Sequence, residues 1–325
     1  MGCSGGSGWQ GAKVGNKPRL GVQLCGVDLP NPLILASGIL GTEAELLARV
    51  AQSGAGAVTA KSCSLEPRAG HSNPTVLAWE HGLINAVGLA NPGVEAEVEE
   101  LARTRALLEP LGVALIASVF ADTVENFARV AGRVVDAGPD LLEVNISCPN
   151  VHHEFGTPFA ADAAAAAEVT AAVREAVAGQ VPVLVKLSPN VSDIAEIARA
   201  VETAGADGVT AINTLTGMVI DVHARRPILA NRTGGLSGPA IRPLAVRCVY
   251  DIYRAVDLPI VGTGGVSSGR DALEMVLAGA TAVGIGSAVY GEGPEVFGQI
   301  ADQMDELLEE LGYASVEEAR GAAHR

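Results

Sequence analysis

Eight times along this 325-residue chain, a short run of small and β-branched apolar residues gives way to a polar or glycine-rich loop. The runs are "PLILAS", "AVTAKS", "ALIASVF", "LLEVNIS", "PVLVKLS", "GVTAINT", "PIVGTGG" and "AVGIGSA". Strands buried on both faces read as continuous apolar runs of this kind rather than as alternating ones. Between them lie stretches with helical periodicity, among them "TEAELLARVAQSG", "TVENFARVAGRVVDAG", "DIAEIARAVETAG" and "GRDALEMVLAG", several of them ended by Gly. Strands alternating with helices predict a parallel sheet, and eight units predict that it closes into an α/β (β/α)8 TIM barrel.

Residues 1–17, rich in Gly, Ser and Lys, read as a flexible lead, and "LGVQLCGVDLPNPL" as a short N-terminal β-hairpin. The barrel domain is expected over 18–312, with a C-terminal tail at 313–325. "GSGWQG" in the lead has the form GxGxxG but follows no strand, so it is not read as a dinucleotide site. Two connections, 63–97 and 215–240, are long enough to cover the C-terminal mouth of the barrel.

With 22 basic against 37 acidic residues, the formal charge is -15, which repels nucleic acid and anionic membrane surfaces. A small substrate or a protein partner is expected instead. The five cysteines have no CxxC spacing, so no zinc or iron–sulfur ligand set is read from them. No signal-type or membrane-spanning apolar segment is evident, and a reduced cytoplasmic location is expected.

Reactive groups of such barrels sit at the C-terminal strand ends. Here these are Ser37, Lys61, Ser118, Asn145 with Cys148, Lys186, Asn213 with Thr214, Gly264 with Gly265, and Gly286 with Ser287. The last two ends offer backbone N–H groups and a following helix N-terminus, which suit a phosphate. Lys61 and Lys186 could stabilise an anionic ring, form a Schiff base, or pair with a barrel carboxylate; few acidic residues stand at the other strand ends. Asn85, Asn145, Asn150 and Asn213 both donate and accept, as a pyrimidine ring requires. His152, His153 and Glu154 lack a third ligand and are read as solvated loop residues rather than a metal site.

"NISCPN", "NAVGLANPG", "VKLSPNVSDI", "INTLTGM", "RPILANRTGGLSGPAI" and "GTGGVSSGRDALEM" resemble, in one collinear order from about residue 20 to 312, the type 1 dihydroorotate dehydrogenases. "ANRTGGLSGPAI" and "NISCPNVHH" are most similar to the 1B branch, whose catalytic subunit works with an iron–sulfur and FAD subunit that passes electrons to NAD. The resemblance implies an FMN-dependent oxidoreductase of pyrimidine biosynthesis. It places FMN against Ser37, Lys61, Ser62, Ser118, Asn145, Lys186, Ile212, Gly238, Gly264, Gly265, Gly286 and Ser287. The substrate dihydroorotate would meet Lys61, Asn85, Ala86, Val87, Gly88, Leu89, Asn145, Asn150, Asn213 and Thr214. Relatives of the 1B branch commonly carry Asn where this chain has Ser118.

Oxidising dihydroorotate removes a proton from C5 and a hydride from C6, so a base must face the ring opposite the flavin. The resemblance gives that role to Cys148. It also implies a homodimer within a heterotetramer, with FAD and the iron–sulfur cluster on the other subunit. Two other readings compete: a dihydropyrimidine dehydrogenase type of flavoprotein, which tends to read Ser-Cys-Pro-His where this chain has Ser-Cys-Pro-Asn, and a Schiff-base lyase using Lys61 or Lys186.

Overall fold

The computed structural model describes residues 17–147 and 159–325. The expected N-terminal hairpin is β1 (Val22–Leu24) against β2 (Val27–Leu29), turned at Cys25 and Gly26, both with positive φ. Each of the eight apolar runs then contains one barrel strand. These are β3 (Leu33–Leu35), β4 (Ala57–Thr59), β7 (Ala114–Val119), β8 (Leu141–Asn145), β9 (Val183–Lys186), β10 (Gly208–Ala211), β15 (Ile260–Thr263) and β16 (Ala282–Ile285). They pair in parallel and close through β16 against β3 and β10 against β15, so the TIM barrel is observed. Apart from a half-buried Thr263, every residue of these strands is buried, which explains why they read as continuous apolar runs.

The helices between them are set by their caps and apolar stripes. They are α1 (Ala44–Gln52), α2 (Val94–Leu108), α3 (Val124–Val134), α4 (Ala163–Val177), α5 (Ile194–Thr203), α6 (Arg242–Tyr253), α7 (Gly269–Leu277), α8 (Ala288–Glu292), α9 (Val296–Glu310) and α10 (Val316–Ala319). Thr123, Asp162, Asp193, Ser268 and Ser315 each accept a backbone N–H of the first turn that would otherwise lack a partner. Phe127 of α3 and Phe297 of α9 are among the largest fully buried side chains. Residues 313–325 pack onto the helical layer: Val316 and Ala319 are buried, and His324 stacks on Tyr250 with ring centroids 3.8 Å apart. None of the described helices is long and apolar enough to cross a membrane.

The two long connections carry a sheet of their own. β5 (Val76–Trp79) and β6 (Gly82–Asn85) form a hairpin in the first, and the second contributes β11 (Leu215–Gly217) and β14 (Gly234–Ser237). They associate antiparallel in the order β11-β14-β6-β5, so segments about 150 residues apart meet over the mouth. The second connection also holds the short ribbon β12 (Ile220–Asp221) and β13 (Arg226–Pro227). Only glycine permits the β6–β14 contact as it stands, since a Cβ on Gly82 would lie 2.0 Å from the Ser237 carbonyl oxygen.

Candidate active site

Parallel closure brings all eight C-terminal strand ends to one face, beneath the mouth sheet. Between the two layers lies a cavity of about 460 Å³. One wall is Lys186, Ile212, Asn213 and Thr214; a second is Gly264, Gly265, Gly286 and Ser287; the roof is Val76, Ala78, Leu83, Asn85 and Val87 from the first long connection. Ser237, Gly238 and Tyr290 complete the rim. The roof is mainly apolar and the walls carry the polar groups, a division suited to a flat ring system with a polar edge.

Lys186 ends β9 and is 6% exposed. Its Nζ donates to Ser37 Oγ at 3.1 Å and lies 3.6 Å from Glu143 Oε1, itself buried in β8. The carboxylate partner that seemed scarce at the strand ends is therefore present, two residues before the end of its strand. An ammonium held in a buried ion pair is a poor Schiff-base nucleophile, which needs the free amine. Below the cavity a run of hydrogen bonds joins Ser118, Ser62, Asn145, Ser147 and Asn213, and the Asn213 carboxamide oxygen accepts from Thr214 N–H at 2.7 Å. The Asn190 carboxamide in turn bonds the Thr214 carbonyl and Thr216 N–H, fixing the start of β11.

Lys61 follows β4, half-buried, with its N–H donating to the Gly41 carbonyl. Its charge acts on Glu97 of α2, whose carboxyl is pushed up to about 7 by burial and by Glu100, with Lys61 opposing. Burial likewise raises the thiols of Cys25, to about 12, and of Cys63 and Cys248. None of these three is poised as a base or nucleophile near neutral pH.

At the other end of the cavity the chain is arranged for an anion. Among the described residues, the backbone N–H groups of Gly264, Gly265, Gly286 and Ser287 have no protein acceptor. Thr263 Oγ1, on the same wall, is buried and has no partner among the described residues. Gly265 has φ +77°, and a Cβ there would stand 2.7 Å from the Gly238 carbonyl oxygen. The loop is braced from behind by Asp271, which accepts from Ser267 N–H and Oγ at 3.1 Å and pairs with Arg242. A phosphate with several acceptor oxygens fits this set of donors, which the loop between β15 and α7 and the turn from β16 into α8 bring together.

The dihydroorotate dehydrogenase family profile matches residues 19–308. The chain belongs to this family. A protein of Methanothermobacter thermautotrophicus named dihydroorotate dehydrogenase B (NAD(+)), catalytic subunit, is 47% identical over 306 residues, spanning 94% of this chain and 98% of its own. Proteins with the same name from Methanocaldococcus jannaschii and Geobacter sulfurreducens are 45% and 46% identical, each over 94% of this chain and 98% of their own.

Of the residues expected in a dihydroorotate dehydrogenase site, Asn85, Val87, Lys186, Ile212, Asn213, Thr214, Gly238, Gly264, Gly265, Gly286 and Ser287 line the cavity. Ser37, Ser62, Ser118 and Asn145 are buried just behind its wall and joined to it through Lys186 or Ser147. Ala86, Gly88 and Leu89 are buried in the segment leaving β6, off the cavity surface. Cys148, Asn150, His152, His153 and Glu154 lie outside the described residues, as does "GSGWQG". Among the described residues no three His, Cys, Asp or Glu side chains gather to hold a metal ion.

Sequence reasoning missed Glu143, Ser147 and Thr263; it expected residues 63–97 to cover the mouth, but not that they fold into the β5–β6 hairpin. Strand alternation could have found Glu143, which stands two residues before Asn145 and so points to the same side. The roof gives no such signal, because three of the four residues of β5 are exposed and nothing in its pattern marks a buried face.

Proposed function

We propose that this chain is the catalytic subunit of an NAD-linked dihydroorotate dehydrogenase, oxidising dihydroorotate to orotate in pyrimidine biosynthesis with FMN as its resident cofactor. The observation that carries the reading is a single cavity with two chemically distinct ends. Free N–H groups at Gly264, Gly265, Gly286 and Ser287 suit a terminal phosphate, and Asn85, Asn213 and Thr214 offer the mixed donors and acceptors of a pyrimidine. Bound there, FMN would supply the acceptor for the C6 hydride. Lys186 would present positive charge to the ring edge, with Ser37 holding its direction.

Asn213 and Thr214 would orient the substrate, the Asn213 carboxamide being pinned by Ser147 Oγ at 2.8 Å. Cys148 is assigned the C5 proton by its place in "NISCPN", and Asn150 a substrate contact by the same motif. Lys61, with Ala86 to Leu89, would close the substrate side. The phrase "catalytic subunit" in the relatives' names favours a partner chain for electron transfer. We assign FAD and an iron–sulfur cluster to that partner, in a cytoplasmic heterotetramer built on a homodimer of this chain.

The test is the visible spectrum of the purified chain, with its chromophore released and identified by mass. Released FMN, and bands bleached anaerobically by dihydroorotate but not by dihydrouracil, support the reading. Bleaching by dihydrouracil instead supports the dihydropyrimidine dehydrogenase alternative. A colourless chain that takes up no FMN refutes both.

A further inference from the structure

Glu143 has no place among the expected site residues, yet the polar groups of the barrel floor converge on it. It is 4% exposed, and among the described residues it is the one carboxylate within ion-pair distance of Lys186. Its Oε1 also accepts from Ser118 Oγ at 3.3 Å. A carboxylate only accepts, so the Ser118 proton points to Glu143 and the 2.8 Å contact between Ser118 and Ser62 is donated by Ser62. Ser62 then accepts from the Asn145 carboxamide N–H at 3.3 Å, and the Asn145 oxygen accepts from Ser147 Oγ at 3.0 Å. Ser147 Oγ accepts in turn from Asn213 Nδ2 at 2.8 Å. Every donor in the series points the same way, from Asn213 on the cavity wall to the carboxylate.

We infer that Glu143 is a positioning residue of the cofactor wall: it holds the Lys186 ammonium there and directs the Ser118 and Ser62 hydroxyls behind it, while the Asn213 carboxamide is fixed locally by Thr214 N–H and the Ser147 carbonyl. The part of this that concerns ligands rests on the function proposed above; the hold on Lys186 does not. A neutral residue in its place would leave a buried ammonium without a counter-charge, which disfavours the charged form. It would also remove the acceptor that directs the Ser118 hydroxyl, and with it the direction of the Ser62–Ser118 hydrogen bond behind the cofactor wall.

The chain has four lysines, Lys13, Lys17, Lys61 and Lys186, so side-chain NMR of the lysine-labelled full chain gives a countable set of signals. The Lys186 signal is identified by its loss in Lys186→Met. In Glu143→Gln without added cofactor, that signal is expected to move from its wild-type position towards those of the other lysines, because the ion pair at 3.6 Å is gone. FMN affinity, followed by quenching of FMN fluorescence, is expected to fall at least about tenfold, with partial recovery in Glu143→Asp. An unmoved Lys186 signal in a folded Glu143→Gln chain overturns the inference, whatever happens to FMN. A moved signal in chains, wild-type and variant, that never take up FMN keeps Glu143 as the anchor of Lys186 and refutes the proposed function instead. If Glu143→Gln alone fails to fold, the double variant with Lys186→Met removes both charges and is expected to fold; a double variant as unstable as the single one overturns the inference.

Discussion

Replacing Gly265 or Gly286 by alanine separates the folding role of the anion-binding corner from its binding role. Gly265 sits at φ +77°, where an alanine costs about 1–2 kcal/mol in backbone strain. Its Cβ would also lie 2.7 Å from the Gly238 carbonyl oxygen and 2.8 Å from Arg242 Cβ, neither of which is the free end of a flexible side chain. Overpacking of this kind adds about 1–3 kcal/mol, so Gly265→Ala is expected to lose about 3 kcal/mol. For a chain of this length that is a drop in Tm of about 5 °C. Gly286 is different: its Cβ would meet only Ala36 Cβ, at an ordinary 3.7 Å, and no positive φ is required. Gly286→Ala should therefore keep wild-type stability within about 0.5 kcal/mol, yet its methyl would narrow the corner proposed to receive the phosphate. Calorimetry and FMN titration on both variants read the two effects separately. A Gly265→Ala chain with unchanged Tm and full FMN content would refute the reasoning about the corner.

Glu97 supplies a pH test. Its carboxyl is raised from 4.5 to about 7, so between those values the folded chain keeps a proton that the unfolded chain has released. Stability should fall as pH rises through that window and level off above it, by up to about 3 kcal/mol, and Glu97→Gln should flatten the dependence in urea unfolding. A variant with the wild-type pH profile would contradict the burial of that charge. Cys148→Ser should retain FMN but lose about two orders of magnitude or more in turnover at neutral pH, because a hydroxyl is a far poorer base than a thiol; near-normal turnover would remove Cys148 from the mechanism. Asn213→Ala should lower kcat/KM for dihydroorotate about 10- to 100-fold while leaving FMN content unchanged, whereas loss of FMN would place Asn213 on the cofactor side.

The barrel was legible because each strand is buried on both faces, so its whole sequence is apolar and the polar residue that ends it stands out. Lys186, Asn145 and Asn213 were found that way, and so were the glycines after β15 and β16, whose small size is visible without a structure. The mouth sheet was not legible. β14 reads Gly-Gly-Leu-Ser and β11 is three residues long; what makes β14 a strand is pairing with a distant hairpin, and β11 pairs in turn with β14, rather than local preference. For Glu143, alternation gives only its side of the strand, shared with Asn145, and not its partner. Its meaning comes from Lys186 on the neighbouring strand, a relation of register that the sequence does not print.

The most direct test of the assigned reaction is a single turnover without any partner chain. FMN-loaded protein is mixed anaerobically with excess dihydroorotate, and orotate is quantified against flavin. The account predicts one orotate formed for each FMN reduced, and none when the cofactor has been stripped. Orotate absent while the flavin stays oxidised, in a chain that holds its full complement of FMN, would contradict it.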